Sequence, residues 1–388
     1  SPRVIQNMGD KVVAKEIAAK GNVPMLGGSN GCVFTFDEAL EVAQKIGFPL
    51  IVKASAGGGG RGMRIVRKQS EMKQMYLSAS SEAALAFNNP SVFIEKYLEN
   101  PRHIEVQIVA DSYGNVIHLW ERECSIQRKH QKLLEEAPSS ALDKTLRKKI
   151  TDAAVSLAKE AGYVSLGTVE FLLDKDKNFY FMEMNTRVQV EHPVTEMITG
   201  LDLIELQIRI ANGEKLSITQ DDVKLDGWAI ECRINAEDAQ SNFSPCMGTI
   251  KALRTPKGDG IRVDTGVVVG SEITPFFDSM IAKLIVHGKD RKTTIEKTLK
   301  ALEDLQIKGV KTTIPFDKAV LHNKVFQSEA FDTSFIEKDM DSMVHREEDE
   351  ELLAALFSAN HFKEQHIFQE NIEPALDLWE LKNKINNI

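Results

Sequence analysis

The chain has no excess of positive charge, no paired cysteines and no long apolar run, and each absence removes a class of function. Lysine and arginine total 48 against 57 aspartates and glutamates, a formal net charge of −9. No global basic footprint for nucleic acid or an anionic membrane follows from that balance. The four cysteines, Cys32, Cys124, Cys232 and Cys246, are far apart and make no C-x-x-C pair. Their spacing points to free thiols in a reducing compartment and away from structural zinc. No apolar stretch is long enough to span a bilayer, no signal-peptide pattern opens the chain, and there is no internal repeat or low-complexity tract. The first residue is Ser1 rather than Met, and a helix begins almost at once, so the chain reads as a fragment, a processed form or an incomplete reading. The rest is ordinary for a globular protein: 388 residues, 42% hydrophobic and 27% charged, enough for two or three domains with real cores.

One stretch organises the remainder, residues 168–193, TVEFLLDKDKNFYFMEMNTRVQVEHP. It reads as two strands, 168–173 and 179–185, joined by a polar turn at 174–178. A four-residue loop over 175–178 would set Glu170 opposite Glu183, with Asn185 on the same face two residues on. Facing carboxylates repel. With an amide oxygen beside them they make a hard, all-oxygen site that suits Mg²⁺ or Mn²⁺. A half-solvated polar edge is the alternative reading of the same pattern.

Taken in order, residues 10–20 read as a helix that Asp10 opens and Gly21 closes. TFDE at 35–38 is a capping box for a helix ending at Gly47, and 49–54 is a strand. Residues 57–62, GGGGRG, lie between strands rather than before a helix, so they form a hairpin tip and not a Rossmann or P-loop turn. Glycine lets backbone N–H groups approach phosphate closely, and Lys53 on the incoming strand can supply charge. A plain flexible loop is the other reading. Further on come a helix (70–87), a strand (92–98), a hairpin (103–110 and 116–125), the basic run 128–132, and helices at 144–161 and 202–211. Charge runs of that kind are mostly solvated. Residues 228–238 read as a strand with Arg233 in its middle, where a guanidinium needs a structural carboxylate or a ligand. Short antiparallel strands follow over 243–288, then helices at 292–305 and 315–323. From about Met340 the chain turns acidic and reads as an appendage with two short helices, 352–359 and 374–385.

The ordered motifs GGGGRGM, EKYLENPRHIEVQIVAD, ERECSIQRKHQK, EEAPS, GTVEFL, FMEMNTRVQVEHPVTEMITG, ECRINAED and FDSMIAKL resemble biotin carboxylase, the ATP-grasp component of biotin-dependent carboxylases. The resemblance runs from about residue 4 to about 340. It implies an α+β, ATP-grasp fold with a small lid and a larger antiparallel-sheet part. It also implies a reaction: ATP phosphorylates bicarbonate to carboxyphosphate, this decomposes to CO₂ and phosphate, and carrier-borne biotin is carboxylated at its ureido nitrogen. Lys11, Lys53 and the loop glycines Gly58, Gly59 and Gly60 are then expected at the ATP phosphates. Glu95, Lys96, Leu98 and Leu172 are expected about the nucleotide, His103 near the ribose, and Gln127 and His130 close to the phosphates. Glu170, Glu183 and Asn185 are the implied ligands of Mg²⁺ or Mn²⁺. Lys132, Arg187, Gln189 and the Val190 backbone are the implied bicarbonate ligands, Glu191 the general base, and Arg233 the residue that binds biotin and stabilises its enolate-like anion.

The same resemblance divides the chain into a linker helix (1–25), a lid (26–95), the large ATP-grasp part with the C-terminal domain (96–340), and a helical extension (341–388). The family has a further α/β domain ahead of the point where this chain begins, so one wall of the site is expected to be missing and apolar surface exposed. No biotin-attachment motif is visible. A biotin carboxyl carrier protein and a carboxyltransferase are therefore expected partners, with a homodimer in the full-length form and no nucleic acid or membrane. The expected compartment is the cytoplasm, or the mitochondrial matrix in a eukaryote, and the tail leans toward an acyl-CoA or pyruvate carboxylase. Two alternatives stand beside this reading: another ATP-grasp ligase, which keeps the metal carboxylates but not RVQVEHP with RKHQK, and a non-catalytic nucleotide-binding or assembly module.

Overall fold

The Thr35 hydroxyl accepts from the Glu38 amide at 3.3 Å, and the Glu38 carboxylate accepts from the amides of Thr35 and Phe34, so the expected capping box is formed. It opens α3 in a computed structural model that describes residues 1–54, 63–343 and 355–358. The chain divides into two units, Ser1–Met343 and Val344–Ile388. In the second, residues 355–358 are helical. The glycine tip and most of the expected tail helices lie outside the described residues.

The first part contains α1 (Pro2–Gly9), α2 (Lys11–Lys20), α3 (Phe36–Ile46), β1 (Leu50–Ala54), β2 (Met63–Val66), α4 (Met72–Phe87) and β3 (Val92–Lys96). Asp10, expected as the helix's first residue and a favourable charge at its positive end, lies just before α2 and caps it by accepting from the amides of Val12 and Val13. The strands form an antiparallel sheet in the order β2-β1-β3. Strand alternation sends Leu50, Val52, Val92 and Ile94 to one face, packed with Ala39 and Ala43 of α3 and Met72, Tyr76 and Ala79 of α4. The other face carries Lys53 and Glu95. The strand expected over 92–98 stops at Lys96, and the helix expected from Ser70 begins as a single tighter turn at Gln69–Glu71.

The larger part contains β4 (Arg102–Ala110), β5 (Val116–Arg128), β6 (Gln131–Ala137), α5 (Lys144–Glu160), β7 (Ser165–Leu173), β8 (Phe179–Asn185), α6 (His192–Thr199), α7 (Leu203–Ala211), β9 (Trp228–Asn235), β10 (Ile261–Thr265), β11 (Met280–Gly288), α8 (Arg291–Asp304), α9 (Ile314–His322) and α10 (Phe335–Met343). Eight of its strands make one sheet in the order β10-β11-β9-β6-β5-β4-β7-β8, antiparallel throughout. Ile104, Val106, Ile108, Val169, Phe171 and Phe181 line one face and pack with Ile150, Ala154 and Leu157 of α5. The opposite face is apolar where Val109 and Leu166 pack with Leu203 and Ile210 of α7, and where Ala137, Ala229 and Ile285 pack with Val194 and Ile198 of α6; around Glu105, Glu170 and Arg122 it is polar.

Two elements depart from the sequence reading. Residues 131–137 form a strand where only a basic run was expected at its start. The acidic residues at its end are buried, because Arg233 meets Glu135 at 2.6 Å and Arg291 meets Glu136 at 2.8 Å. Residues 192–199 form a helix, with Pro193 in its first turn, where the polar run was expected to continue. Among the described residues no helix is long and apolar enough to cross a membrane.

Candidate active site

The polar face is assembled rung by rung across the sheet. In register, Arg122 of β5 lies opposite Glu105 of β4, Glu105 opposite Glu170 of β7, and Glu170 opposite Glu183 of β8. Two bulges produce this row. On β5, Leu119 and Trp120 lie between the pairs Ile108–His118 and Val106–Glu121, and Trp120 has φ +64°. The extra residue puts Arg122 rather than Glu121 opposite Glu105, and Glu121 turns to the α5 face, where Arg147 meets it at 2.8 Å. On β8, Met182 is the unpaired residue between Phe181 and Glu183.

Lys132 is the hub of the cluster. Its Nζ lies 2.6 Å from Glu105, 2.6 Å from Glu191 and 3.1 Å from Glu170. Burial works most strongly against its charge, but the acids around it, Glu105 first and then Glu170 and Glu191, together outweigh burial and hold the ammonium well above the usual lysine range. Glu105 is held down to about 2, against burial, by Lys132 and Arg122. Glu170 also lies well below the usual range, since His103 and Lys132 overcome its burial. Asn185 (2.9 Å) and Gln189 (3.0 Å) donate to the Glu170 oxygen that Lys132 meets, while His103 Nε2 lies 3.1 Å from the other oxygen. Glu183 is exposed on the same rung, its carboxyl pushed up by desolvation and by Glu170.

Glu191 stands at the residue before α6 without capping it, is almost fully buried, and spends its two oxygens on different cations: Oε1 on Lys132 and Oε2 on Arg233 Nη2 at 2.8 Å. Arg233 Nε donates to Glu135 at 2.6 Å. Glu135 itself is pushed up to about 7 by burial, with Glu191 adding to the effect and Arg233 opposing it. The guanidinium in a strand interior thus has the structural carboxylate the sequence reading offered, Glu135, and meets Glu191 besides.

Of the residues expected about the nucleotide, Lys53, Glu95, Lys96 and Leu98 stand in or just beyond the small sheet. Lys53 meets Glu95 at 2.6 Å, and Lys15 meets the other oxygen of the same carboxylate. Glu95 is held down to about 2, since the two ammoniums overcome its burial. Lys11 begins α2, half-buried, lowered first by burial and then by Lys53, and it also feels Glu183 and Glu95. Lys96 donates to the Phe48 carbonyl at 2.8 Å, and Leu98 is half-buried just beyond β3. Leu172 lies in register with His103, on the face that carries Glu170. Gln127 is buried and pairs in register with Lys132, whereas His130 is exposed in the turn between β5 and β6, with φ +65°.

Among the expected bicarbonate residues, Arg187 is not drawn into the cluster. It is exposed and donates to the Val188 carbonyl at 3.3 Å. Gly58, Gly59 and Gly60 lie outside the described residues. Conversely, Lys15, Glu105, Arg122, Glu135 and Lys283 belong to the site and were not singled out from sequence. Glu105 and Arg122 stand in strands on alternate positions, which is a signal only once the bulges fix the faces.

A divalent cation fits the donor set. Glu170 and Glu183 offer hard oxygens on one rung, and Asn185 adds an amide.

Residues 10–219 match the family described as carbamoyl-phosphate synthase L chain, ATP binding domain, and residues 231–338 match the biotin carboxylase C-terminal domain. A biotin carboxylase of Nostoc sp. is 54% identical over 338 residues, covering 87% of this chain and 76% of that protein. The 2-oxoglutarate carboxylase small subunit of Hydrogenobacter thermophilus is 48% identical over 360 residues, 92% of this chain and 76% of that one. Among solved structures, the biotin carboxylase domain dimer of the Hydrogenobacter thermophilus 2-oxoglutarate carboxylase, in complex with MgADP, ADP and bicarbonate, superposes with a TM-score of 0.85 at 48% identity, over 89% of this chain and 76% of that one.

Proposed function

The chain belongs to the biotin carboxylase family, an ATP-grasp ligase family, and from that premise we propose how its residues carry out ATP-dependent carboxylation of biotin by bicarbonate. The observation that carries the reading is Glu191 held between Lys132 and Arg233 by separate oxygens. A carboxylate is a weak base. Two cations fix where it points, and a bicarbonate placed beside it presents its O–H to an oriented acceptor.

Lys132, Arg187, Gln189 and the Val190 backbone hold the bicarbonate anion. Glu191 takes its proton, and the freed oxygen forms a bond to the γ-phosphorus as the bond to ADP breaks. Lys11, Lys53 and the glycine loop hold the phosphates in line. Glu170, Glu183 and Asn185 would hold Mg²⁺ or Mn²⁺, which when bound neutralises phosphate charge. Carboxyphosphate then divides into CO₂ and phosphate. The released phosphate takes the ureido proton of biotin, Arg233 stabilises the resulting anion at the carbonyl oxygen, and the nitrogen bonds to CO₂. Glu95, Lys96, Leu98 and Leu172 frame the adenine, His103 stands toward the ribose, and Gln127 and His130 stand toward the phosphates.

The proposed organisation is a linker helix at 1–25, a lid at 26–95, the large part at 96–340 and an extension at 341–388. A biotin carboxyl carrier protein and a carboxyltransferase are the proposed partners, and a homodimer the proposed assembly, in the cytoplasm or a mitochondrial matrix. Relatives of this chain include a small subunit and a domain of such a carboxylase. The test is ADP release from this chain with MgATP and bicarbonate, with and without free biotin. Release that depends on bicarbonate and rises with biotin is the expected result. ATP binding with release indifferent to bicarbonate overturns the reading.

A further inference from the structure

Lys283 stands in the middle of β11. The register sets it between Arg233 of β9 and Asp264 of β10, and residues in direct register share a face. Two cations on one rung repel, so strand pairing does not account for a lysine beside Arg233. Its contacts do. Nζ donates to the Val190 carbonyl at 2.6 Å, whereas the nearest carboxylate oxygens, of Asp264 and Glu231, are 3.7 Å and 3.9 Å away. Distance decides between the partners. The carbonyl takes the hydrogen bond, and the acids supply only field.

We propose that Lys283 is a positioning residue for the bicarbonate site, tying the loop that carries Gln189, Val190 and Glu191 to the C-terminal strand that adjoins Arg233. The peptide joining Val190 to Glu191 is planar. Pinning its carbonyl fixes that plane and with it the direction in which the Glu191 side chain leaves the loop. From that direction its two oxygens reach Lys132 and Arg233 at once. A hydrogen bond from an ammonium is among the stronger ones, and this one is largely shielded from water, the Lys283 side chain being 12% exposed. Glu231 reinforces the choice. It is fully buried, neither of its oxygens has a hydrogen-bond partner among the described residues, and Lys283 is the cation within ion-pair reach. A neutral residue at 283 would leave the Val190 carbonyl and a buried acid with nothing between them, and the loop would turn away.

The inference rests on the bicarbonate and base reading above, so its test does not depend on turnover. Bicarbonate affinity is measured by titration of the MgADP-saturated full chain, and amide exchange is followed over residues 186–197. Lys283→Met is expected to weaken bicarbonate about ten-fold and to speed exchange in that segment, with MgADP affinity held within about twofold, while Lys283→Arg restores most of the bicarbonate affinity. Bicarbonate affinity unchanged in Lys283→Met, or an equal loss of MgADP affinity, overturns the tether. A wild-type chain that takes up MgADP but no bicarbonate overturns the bicarbonate reading instead. In that case unchanged exchange in Lys283→Met overturns the tether separately, and faster exchange reversed by Lys283→Arg supports it.

Discussion

Glu170 and Glu183 share a rung of the β7–β8 ladder because Met182 has no partner. The turn before them has five residues, 174–178, closed by a 2.9 Å hydrogen bond from the Asp174 amide to the Asn178 carbonyl, and it pairs Leu173 with Phe179. Continued without interruption, that register would set Met182 opposite Glu170 and send Glu183 to the face of Phe179 and Phe181. The bulge shifts the remaining strand by one and turns Glu183 and Asn185 onto the polar face.

Metal binding should therefore fail before folding does. Glu183→Gln removes a charge from an exposed position, so the thermal midpoint should move by no more than about 3 °C. Mn²⁺ affinity in the presence of ADP, read by paramagnetic relaxation, should fall about ten-fold or more. Chelation with EDTA should stop ADP release from the wild type. Unchanged Mn²⁺ affinity in the variant would remove Glu183 from the ligand set.

Glu191→Gln keeps the shape and loses the proton acceptor. Biotin carboxylation should be abolished while MgATP affinity stays within about threefold. An equally large loss of ATP binding would contradict the base assignment, since it would place Glu191 in the nucleotide site.

Acid should act through Glu95. Its folded carboxyl sits near 2, below the roughly 4.3 of a free glutamate. Its contribution is thus complete at neutral pH and is lost as pH falls from about 5 through 2. The shift corresponds to about 3 kcal/mol at most. In urea titrations the advantage of wild type over Glu95→Gln should shrink steadily below pH 5. An advantage that stays constant down to pH 3.5 would refute the assignment.

Arg122 should matter far more for stability than any surface arginine. It is fully buried and donates to Glu105, Gln107, Thr195, Thr168 and Gln189 at 2.6–3.1 Å. Arg122→Met strands those groups and should cost about 3–5 kcal/mol in urea unfolding. Arg67 pairs with Glu99 in the open, and Arg67→Ala should cost no more than about 1 kcal/mol. Similar costs for both would mean that the buried cluster relaxes by admitting water.

How much of this could be read beforehand follows from where local rules suffice. The Thr35 capping box, the charge of Asp10 at the start of α2, the β7–β8 hairpin and the order of the motifs depend on neighbours in sequence, and they came through. The Glu170–Glu183 pairing also came through, but by a different route: a four-residue loop was expected, and a five-residue turn with a bulge reaches the same rung. The analogous bulge at Trp120 left no mark in the sequence, so the facing of Arg122 and Glu105 stayed hidden. The strand at 131–137 is not in the sequence reading, which sees only the basic run 128–132, because the counter-charges that let Glu135 and Glu136 be buried, Arg233 and Arg291, lie about a hundred residues or more away in the chain. Arg187 illustrates the converse: the motif names it, yet it faces solvent.

The pairing of β6 with β9 bears on how such a chain can be inherited. The two matched segments end and begin at 219 and 231, which suggests modules that recombination could exchange. The sheet runs straight across that gap, Glu135 opposite Glu231 and Leu134 opposite Cys232, and the partners of Glu191 come one from each side. A crossover in the gap would join halves whose strand register and charges had never been selected together. The two segments are therefore expected to travel through evolution as a single unit, and a chimera cut there should need matching changes on both strands before it regains the site.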